Sequence, residues 1–234
     1  MSKEFKVEVL NKDPGNLELS FKILIIGDSS VGKSCLALRA TKGSFNTLYT
    51  PTVGFEFFNF YLKIEEENIK LQIWDTCGQE VYRSLISSFY RNSSLAIIVY
   101  AIDNLESFNN IENWLNELKI KGNPDISIIL VGNKLDLEDK RQITKEMNSD
   151  FCDNHNIRYF FETSAKTGFN AKNVFIEAAK ILYEEHLKLK DRISRPDSFS
   201  HQEESNPELS LDVGVGEEND INNQNKEKRS GCCL

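Results

Sequence analysis

Apolar positions along the chain fall into short runs separated by polar, turn-forming stretches. Phe21-Lys22-Ile23-Leu24-Ile25-Ile26 is an apolar run that stops at Gly27 and predicts a buried strand. Residues 31–40 then read as a helix. Over 55–64 bulky apolar residues alternate with others, and 69–74 repeats the pattern after Glu65-Glu66-Glu67-Asn68, so an antiparallel hairpin is expected. Two further apolar runs, 95–102 and 126–131, predict buried strands. Between them Phe108, Ile111, Leu115 and Leu118 recur at helical spacing over 107–119. A short strand at 159–161 and an amphipathic helix over 174–189 complete the series. Strands alternating with helices imply a mostly parallel sheet covered on both faces, with ligands bound at the carboxyl ends of the strands.

The flanks read differently. Residues 1–18 are polar, carry the Asp13-Pro14-Gly15 turn signal, and predict a loosely held extension in which a short strand could form. From Asp191 onward Ser, Asn, Glu and Asp dominate. Such a segment buries too little apolar surface to offset its chain entropy, so 191–231 is expected to be a disordered linker. The expected organisation is an extension (1–18), one folded domain (19–190) and a tail (191–234).

Composition narrows the function classes. The net charge of −8 argues against nucleic-acid binding, which needs basic faces. No apolar run approaches the roughly 18 residues of a membrane helix, and the start lacks a signal-peptide stretch, so a cytosolic location is expected. Of five cysteines, Cys35, Cys77 and Cys152 are scattered and Cys232 and Cys233 adjoin the end, which is not a secreted disulfide pattern. His155, His186 and His201 match no metal spacing.

Gly27-Asp28-Ser29-Ser30-Val31-Gly32-Lys33-Ser34 fits the phosphate-loop pattern G-x-x-x-x-G-K-[ST] between a strand and a helix. Its glycines let the backbone wrap phosphates, and the following helix adds its positive end. Ser29, Ser30, Val31, Gly32 and Cys35 are counted with the nucleotide-binding residues. Lys33 would set a cation against the β- and γ-phosphates, and the Ser34 hydroxyl would ligate Mg²⁺. Asp75 opens Asp75-Thr76-Cys77-Gly78-Gln79-Glu80 at a strand end, placed for outer-shell binding of Mg²⁺; Gly78 can offer its N–H to the γ-phosphate and Gln79 can orient an attacking water.

A second motif, Asn133-Lys134-Leu135-Asp136, follows the 126–131 strand. An Asp136 carboxylate can accept from guanine N1–H and its exocyclic amine, whereas adenine would leave it unpaired. The Lys134 stem can lie along the base. Ser164-Ala165-Lys166 follows the last strand and would bring the Ala165 amide to guanine O6.

With these motifs in this order, residues 19–189 resemble a small GTPase of the Ras superfamily, and most of all its Rab family. The discriminating stretches are Val53-Gly54-Phe55-Glu56-Phe57, Lys70-Leu71-Gln72-Ile73-Trp74-Asp75, Tyr82-Arg83-Ser84-Leu85 and Phe89-Tyr90-Arg91. The resemblance implies an α/β fold of the P-loop NTPase type, the small G-protein fold, with six mostly parallel strands and about five helices. It implies that Thr52 binds Mg²⁺ and meets the γ-phosphate, that Phe45 packs against the guanine, and that Phe57, Trp74 and Phe89 form an exposed triad read by effectors. It also implies the catalytic set Gln79, Lys33 and Thr52, with Ser34, Thr52 and Asp75 on the metal. The expected partners are GTP and GDP, an exchange factor, a GTPase-activating protein, a GDP-dissociation inhibitor, Rab escort protein and effectors. Four departures stand out: Cys77 where the family usually has Ala, Phe89 for the usual Tyr, Ala101 where many Rabs carry Asp, and a leading extension longer than in most small GTPases.

The chain closes on Ser230-Gly231-Cys232-Cys233-Leu234. Single-site prenylation needs Cys four from the end, where Gly231 stands. The paired cysteines resemble a Rab tail carrying two geranylgeranyl groups, and two chains anchor stably where one binds marginally. Lys226, Lys228 and Arg229 are offset by Glu227 and an acidic tail, so lipid chains rather than charge would hold the membrane. The expected location is the cytoplasmic face of an endomembrane, cycling with a cytosolic pool. Two other readings fit less well. A binding module with negligible hydrolysis rests on Cys77 and is opposed by Gln79. An ATP-dependent phosphotransferase is opposed by Asp136 and Ala165.

Overall fold

A computed structural model of the chain describes residues 4–46, 52, 54–77, 89–123 and 125–194. These lie within one compact unit, Met1–Arg195. Seven strands form a single sheet: β1 (Val7–Leu10), β2 (Leu19–Ile26), β3 (Phe55–Ile64), β4 (Glu67–Thr76), β5 (Leu95–Ala101), β6 (Ser127–Asn133) and β7 (Tyr159–Glu162). Their spatial order is β1-β3-β4-β2-β5-β6-β7. Among the described residues five α-helices accompany them: α1 (Lys33–Lys42), α2 (Leu105–Asn109), α3 (Ile111–Lys121), α4 (Lys145–His155) and α5 (Ala171–Ser194).

The pairing of β2 with β4 and β5, of β5 with β6 and of β6 with β7 is parallel; β3 pairs antiparallel with both β4 and β1. This is the expected α/β small G-protein fold with one strand more than the six expected. The extra strand is β1, contributed by the leading extension. Its backbone continues the sheet beyond Tyr61–Ile64 of β3, and Phe5 just before it is buried edge-on against Tyr183 of α5 at 5.2 Å. Glu18 and Asn68 exchange hydrogen bonds at the start of β4: Glu18 N–H to Asn68 O at 3.1 Å and Asn68 N–H to Glu18 Oε2 at 2.7 Å. The extension is therefore held at both its ends.

Strand periodicity sorts the core into two layers. Ile23 and Ile25 of β2 and Leu95, Ile97 and Val99 of β5 face α1 and α5, whereas Leu24, Ile26, Ala96, Ile98 and Tyr100 face the layer of α2, α3 and α4. All seven residues of β5 are buried, which is why it reads as an unbroken apolar run. The β3–β4 turn is tighter than expected: Ile64 pairs with Glu67, leaving a two-residue loop with Glu65 at φ 52°. The helix expected over 107–119 is divided at Asn110. All four of its expected core residues are nonetheless buried, joined by Trp114.

Candidate functional site

Loops at the carboxyl ends of β2, β4, β6 and β7 meet at one edge of the sheet. After β2 the chain turns at Gly27 (φ 139°), where any Cβ would overlap the carbonyl oxygen of Val99. At Gly32 (φ 96°) a Cβ would collide with the Asn133 amide. Both positions therefore require glycine, for a left-handed backbone and for close approach. Helix α1 starts immediately afterwards with no side chain capping it and no acidic residue in its first turn. Its first amides are thus free of an internal anion, the arrangement that favours an external one.

Lys33 is buried, and its Nζ donates to the carbonyls of Gly27 (2.9 Å) and Asp28 (2.7 Å). Burial lowers the pKa of this ammonium, and the carboxylates of Asp75 and Asp28 partly offset that. The loop is braced from outside by two residues the sequence did not single out, Asn110 and Trp114. Asp28 accepts hydrogen bonds from Asn110 Nδ2 and Trp114 Nε1, both at 2.8 Å. Asn110, where the expected helix breaks, is thereby tied to the phosphate loop.

Ser34, Thr52 and Asp75 come together as expected. Ser34 Oγ lies 2.6 Å from Thr52 Oγ1 and donates to Asp75 Oδ2 at 2.5 Å. Asp75 is fully buried, and its other oxygen, Oδ1, has no hydrogen-bond partner. Burial pushes its carboxyl up to about 6, with the Ser34 hydroxyl and Lys33 acting in the opposite direction. Three residues with hard oxygens, one of those oxygens without a hydrogen-bond partner, fit a small divalent cation such as Mg²⁺, whose charge would offset that of ionised Asp75. A triphosphate would likewise set further negative charge against the Lys33 ammonium.

Beside this cluster lies a cavity of about 210 Å³ lined by Ser30, Gly32, Cys35, Phe45, Asn46, Asn133, Lys134, Asp136, Leu137, Ala165 and Lys166. Most of the expected base-site residues are therefore brought together, and Cys35 belongs to the wall of the cavity. Asn133 is buried and ties the loops to one another: its Nδ2 donates to Val31 O at 2.9 Å, and its Oδ1 accepts from Thr163 Oγ1 at 3.0 Å and from Ala165 N–H at a longer 3.3 Å. The Ala165 amide is thus shared with Asn133. Asp136 Oδ1 accepts from Ser164 Oγ at 2.6 Å, and Lys166 Nζ stands 3.8 Å from Asp136 Oδ2. Lys134 is held in a left-handed conformation (φ 67°), with its Nζ 3.6 Å from Asp103.

Next to the metal-ligand cluster, β3 and β4 present aromatic rings. Phe57 is exposed, while Trp74 and Phe89 are half-buried. Phe57 meets Trp74 edge-on at 5.4 Å and Trp74 meets Phe89 at 5.0 Å. A fourth ring completes the group: exposed Phe55 lies 5.5 Å from Trp74 and 4.7 Å from Phe89. Lys22 donates to the Phe89 and Arg91 carbonyls at 2.8 and 3.1 Å and sits 4.9 Å from the Trp74 ring. Gly78, Gln79, residues 82–85, Cys232 and Cys233 lie outside the described residues.

Cys77 is buried among Leu24, Ile26 and their neighbours. The sequence pattern could not have flagged the bracing of Asp28 or the roles of Thr163 and Lys22, because their partners are distant in the chain. Arg39 is another such residue.

Comparison with known families matches the sequence model of the Ras family to residues 22–184, more than half of the chain. Ras-family proteins bind guanine nucleotides, generally hydrolyse GTP with Mg²⁺, and are controlled by exchange factors and GTPase-activating proteins. With the phosphate loop, the base cavity and the parallel sheet in place, the chain belongs to the Ras family of small GTPases.

Proposed function

We propose that this protein is a Rab-type GTPase that binds GTP and GDP with Mg²⁺, hydrolyses GTP slowly, and acts as a membrane-anchored switch in vesicle traffic. The observation that carries the reading is the junction between the metal-ligand cluster and the aromatic surface. Thr52 stands three residues before Phe55, and Asp75 directly follows Trp74. Both ends of the β3–β4 hairpin thus join a nucleotide ligand to a ring that a partner can touch.

In this reading Ser34, Thr52 and Asp75 hold Mg²⁺, which neutralises phosphate charge. Lys33 and the α1 amides hold the β- and γ-phosphates. Gln79 orients the attacking water, and Gly78 offers an amide to the γ-phosphate. Asp136 and the 164–166 loop read guanine, and Phe45 covers it. Catalysis of this kind needs positioning and charge rather than covalent chemistry. Loss of the γ-phosphate releases the segments around Thr52 and Gly78, and the aromatic surface changes with them. Cys232 and Cys233 carry two prenyl groups delivered by Rab escort protein. A GDP-dissociation inhibitor then allows cycling to the cytosol.

Single-turnover hydrolysis of bound GTP tests the enzymatic half. Wild type should turn over slowly and speed up by orders of magnitude with an activating protein. Gln79→Leu should keep its nucleotide affinity and lose at least about 90% of the rate. An unchanged rate in that variant refutes the role given to Gln79. Cys77, standing where the family has Ala, favours a second reading, a nucleotide-binding module with negligible turnover. Effector capture by the GTP form without measurable hydrolysis in the wild type would select it.

A further inference from the structure

Arg39 sits in the last turn of α1, half-buried, with each nitrogen of its guanidinium engaged. Nε donates to Ala165 O at 2.8 Å, Nη2 to Lys166 O at 2.6 Å and Nη1 to Gly43 O at 2.7 Å. Its Cζ lies 5.8 Å from the Phe45 ring centre. Phe45, Ala165 and Lys166 all line the base cavity, whereas Arg39 does not. One side chain therefore bolts two separate walls of that cavity to the helix that begins at the phosphate loop.

Local geometry presents the 164–166 loop to this side chain. Gly168 (φ 89°) turns the chain back so that its N–H reaches Ser164 O at 2.8 Å, and its α-carbon faces the Arg39 stem. The side chain of Ser164 in turn holds Asp136. On the far wall, Gly43 closes α1 in a left-handed conformation, with its N–H on Arg39 O at 3.0 Å, two residues before Phe45. A planar guanidinium can serve three carbonyls from one position; an ammonium cannot present donors in that fork.

We infer that Arg39 is the positioning residue of the base cavity, holding the 164–166 loop and the Phe45 segment in register so that guanine enters a preformed site. This rests on the guanine reading proposed above. Arg39 touches no part of the nucleotide in this account. Its removal would act through the placement of Ser164, Ala165 and Asp136, and so on base discrimination as well as on affinity.

The test measures release of GDP and of IDP, which lacks the exocyclic amine, from the Mg²⁺-loaded full chain. In Arg39→Gln, GDP should leave about tenfold faster or more, and the preference for GDP over IDP should shrink by at least about threefold. Arg39→Lys should fall between wild type and Arg39→Gln. Phe5→Ala, beside Tyr183 and away from the cavity, should lower stability while leaving the GDP-to-IDP ratio unchanged. Faster release with an unchanged ratio, or release within twofold of wild type, overturns the inference. If Arg39→Gln does not fold, Arg39→Lys decides: a wild-type ratio in that variant overturns it equally. A wild type that does not prefer GDP to ADP defeats the guanine reading itself, and this inference with it.

Discussion

At the scale of single residues, Lys33 and Asp75 are buried charges, each disfavoured by desolvation and only partly offset by the other. Asp75 gives the sharper consequence, because its buried carboxyl is pushed up to about 6 from 3.8. A folded-state value above the unfolded one means that ionised Asp75 opposes folding of the cation-free protein. Stability should therefore rise as pH falls from about 6 toward 3.8, by up to about 3 kcal/mol. In the proposed metal site Mg²⁺ needs the ionised form, so the dependence reverses: Mg²⁺ affinity should fall below pH 6, and binding at pH 5.5 should release a proton. Calorimetry in two buffers of different ionisation enthalpy measures that release. Its absence, or equal release from Asp75→Asn, contradicts the assignment. Asp136 offers a second test. Asp136→Asn leaves the guanine donors facing an amide and should weaken GDP binding by about 2–3 kcal/mol, read as roughly 30- to 150-fold faster release. Unchanged release would remove Asp136 from the base site.

At the scale of elements, β1 and Phe5 turn the leading extension into part of the sheet. Phe5→Ala removes a buried ring beside Tyr183 and should cost about 3 kcal/mol, or roughly 6–12 °C in the thermal midpoint, with nucleotide affinity unchanged. A shift of less than about 2 °C would show that the segment is not held in solution. This strand was hard to read because four residues, Val7-Glu8-Val9-Leu10, carry too little alternation to separate them from a polar tail. Helix α4 was missed for a related reason. Met147, Phe151 and Cys152 are its only large apolar residues, and buried Asn148 bonds to Tyr100 rather than adding to an apolar stripe. Its cap was nonetheless written in the chain: Thr144 Oγ1 accepts from Met147 N–H, and Glu146 lies in the first turn. The central strands were legible because burial on both faces makes them continuously apolar. Motif residues were legible because contiguous loops supply them. The bracing of Asp28 and the roles of Thr163 and Arg39 were not, since each works through a partner that only the folded chain brings near.

At the scale of the molecule, the 27–34 loop, the Ser34, Thr52 and Asp75 cluster, the cavity lined by Phe45, Asp136 and Ala165, and the aromatic surface lie around the carboxyl ends of the parallel strands. In the proposed reading a γ-phosphate acts on the Thr52 and Asp75 cluster and on the aromatic surface together, because the β3–β4 hairpin links these residues to Phe55, Phe57 and Trp74. The proposed membrane attachment is tested at this scale as well. Changing Cys232 and Cys233 to Ser should leave hydrolysis intact and make a tagged protein diffuse, while the wild type marks an endomembrane. Identical membrane patterns for the two would rule out the proposed anchor. The claim on which the rest depends is that this cavity reads guanine. Displacement of a fluorescent GDP from the Mg²⁺-loaded protein by unlabelled GDP, GTP and ATP tests it most directly. The account predicts that GDP and GTP compete at similar concentrations, while ATP needs at least about 10³-fold more. Displacement by ATP at the same concentrations as GTP would contradict it.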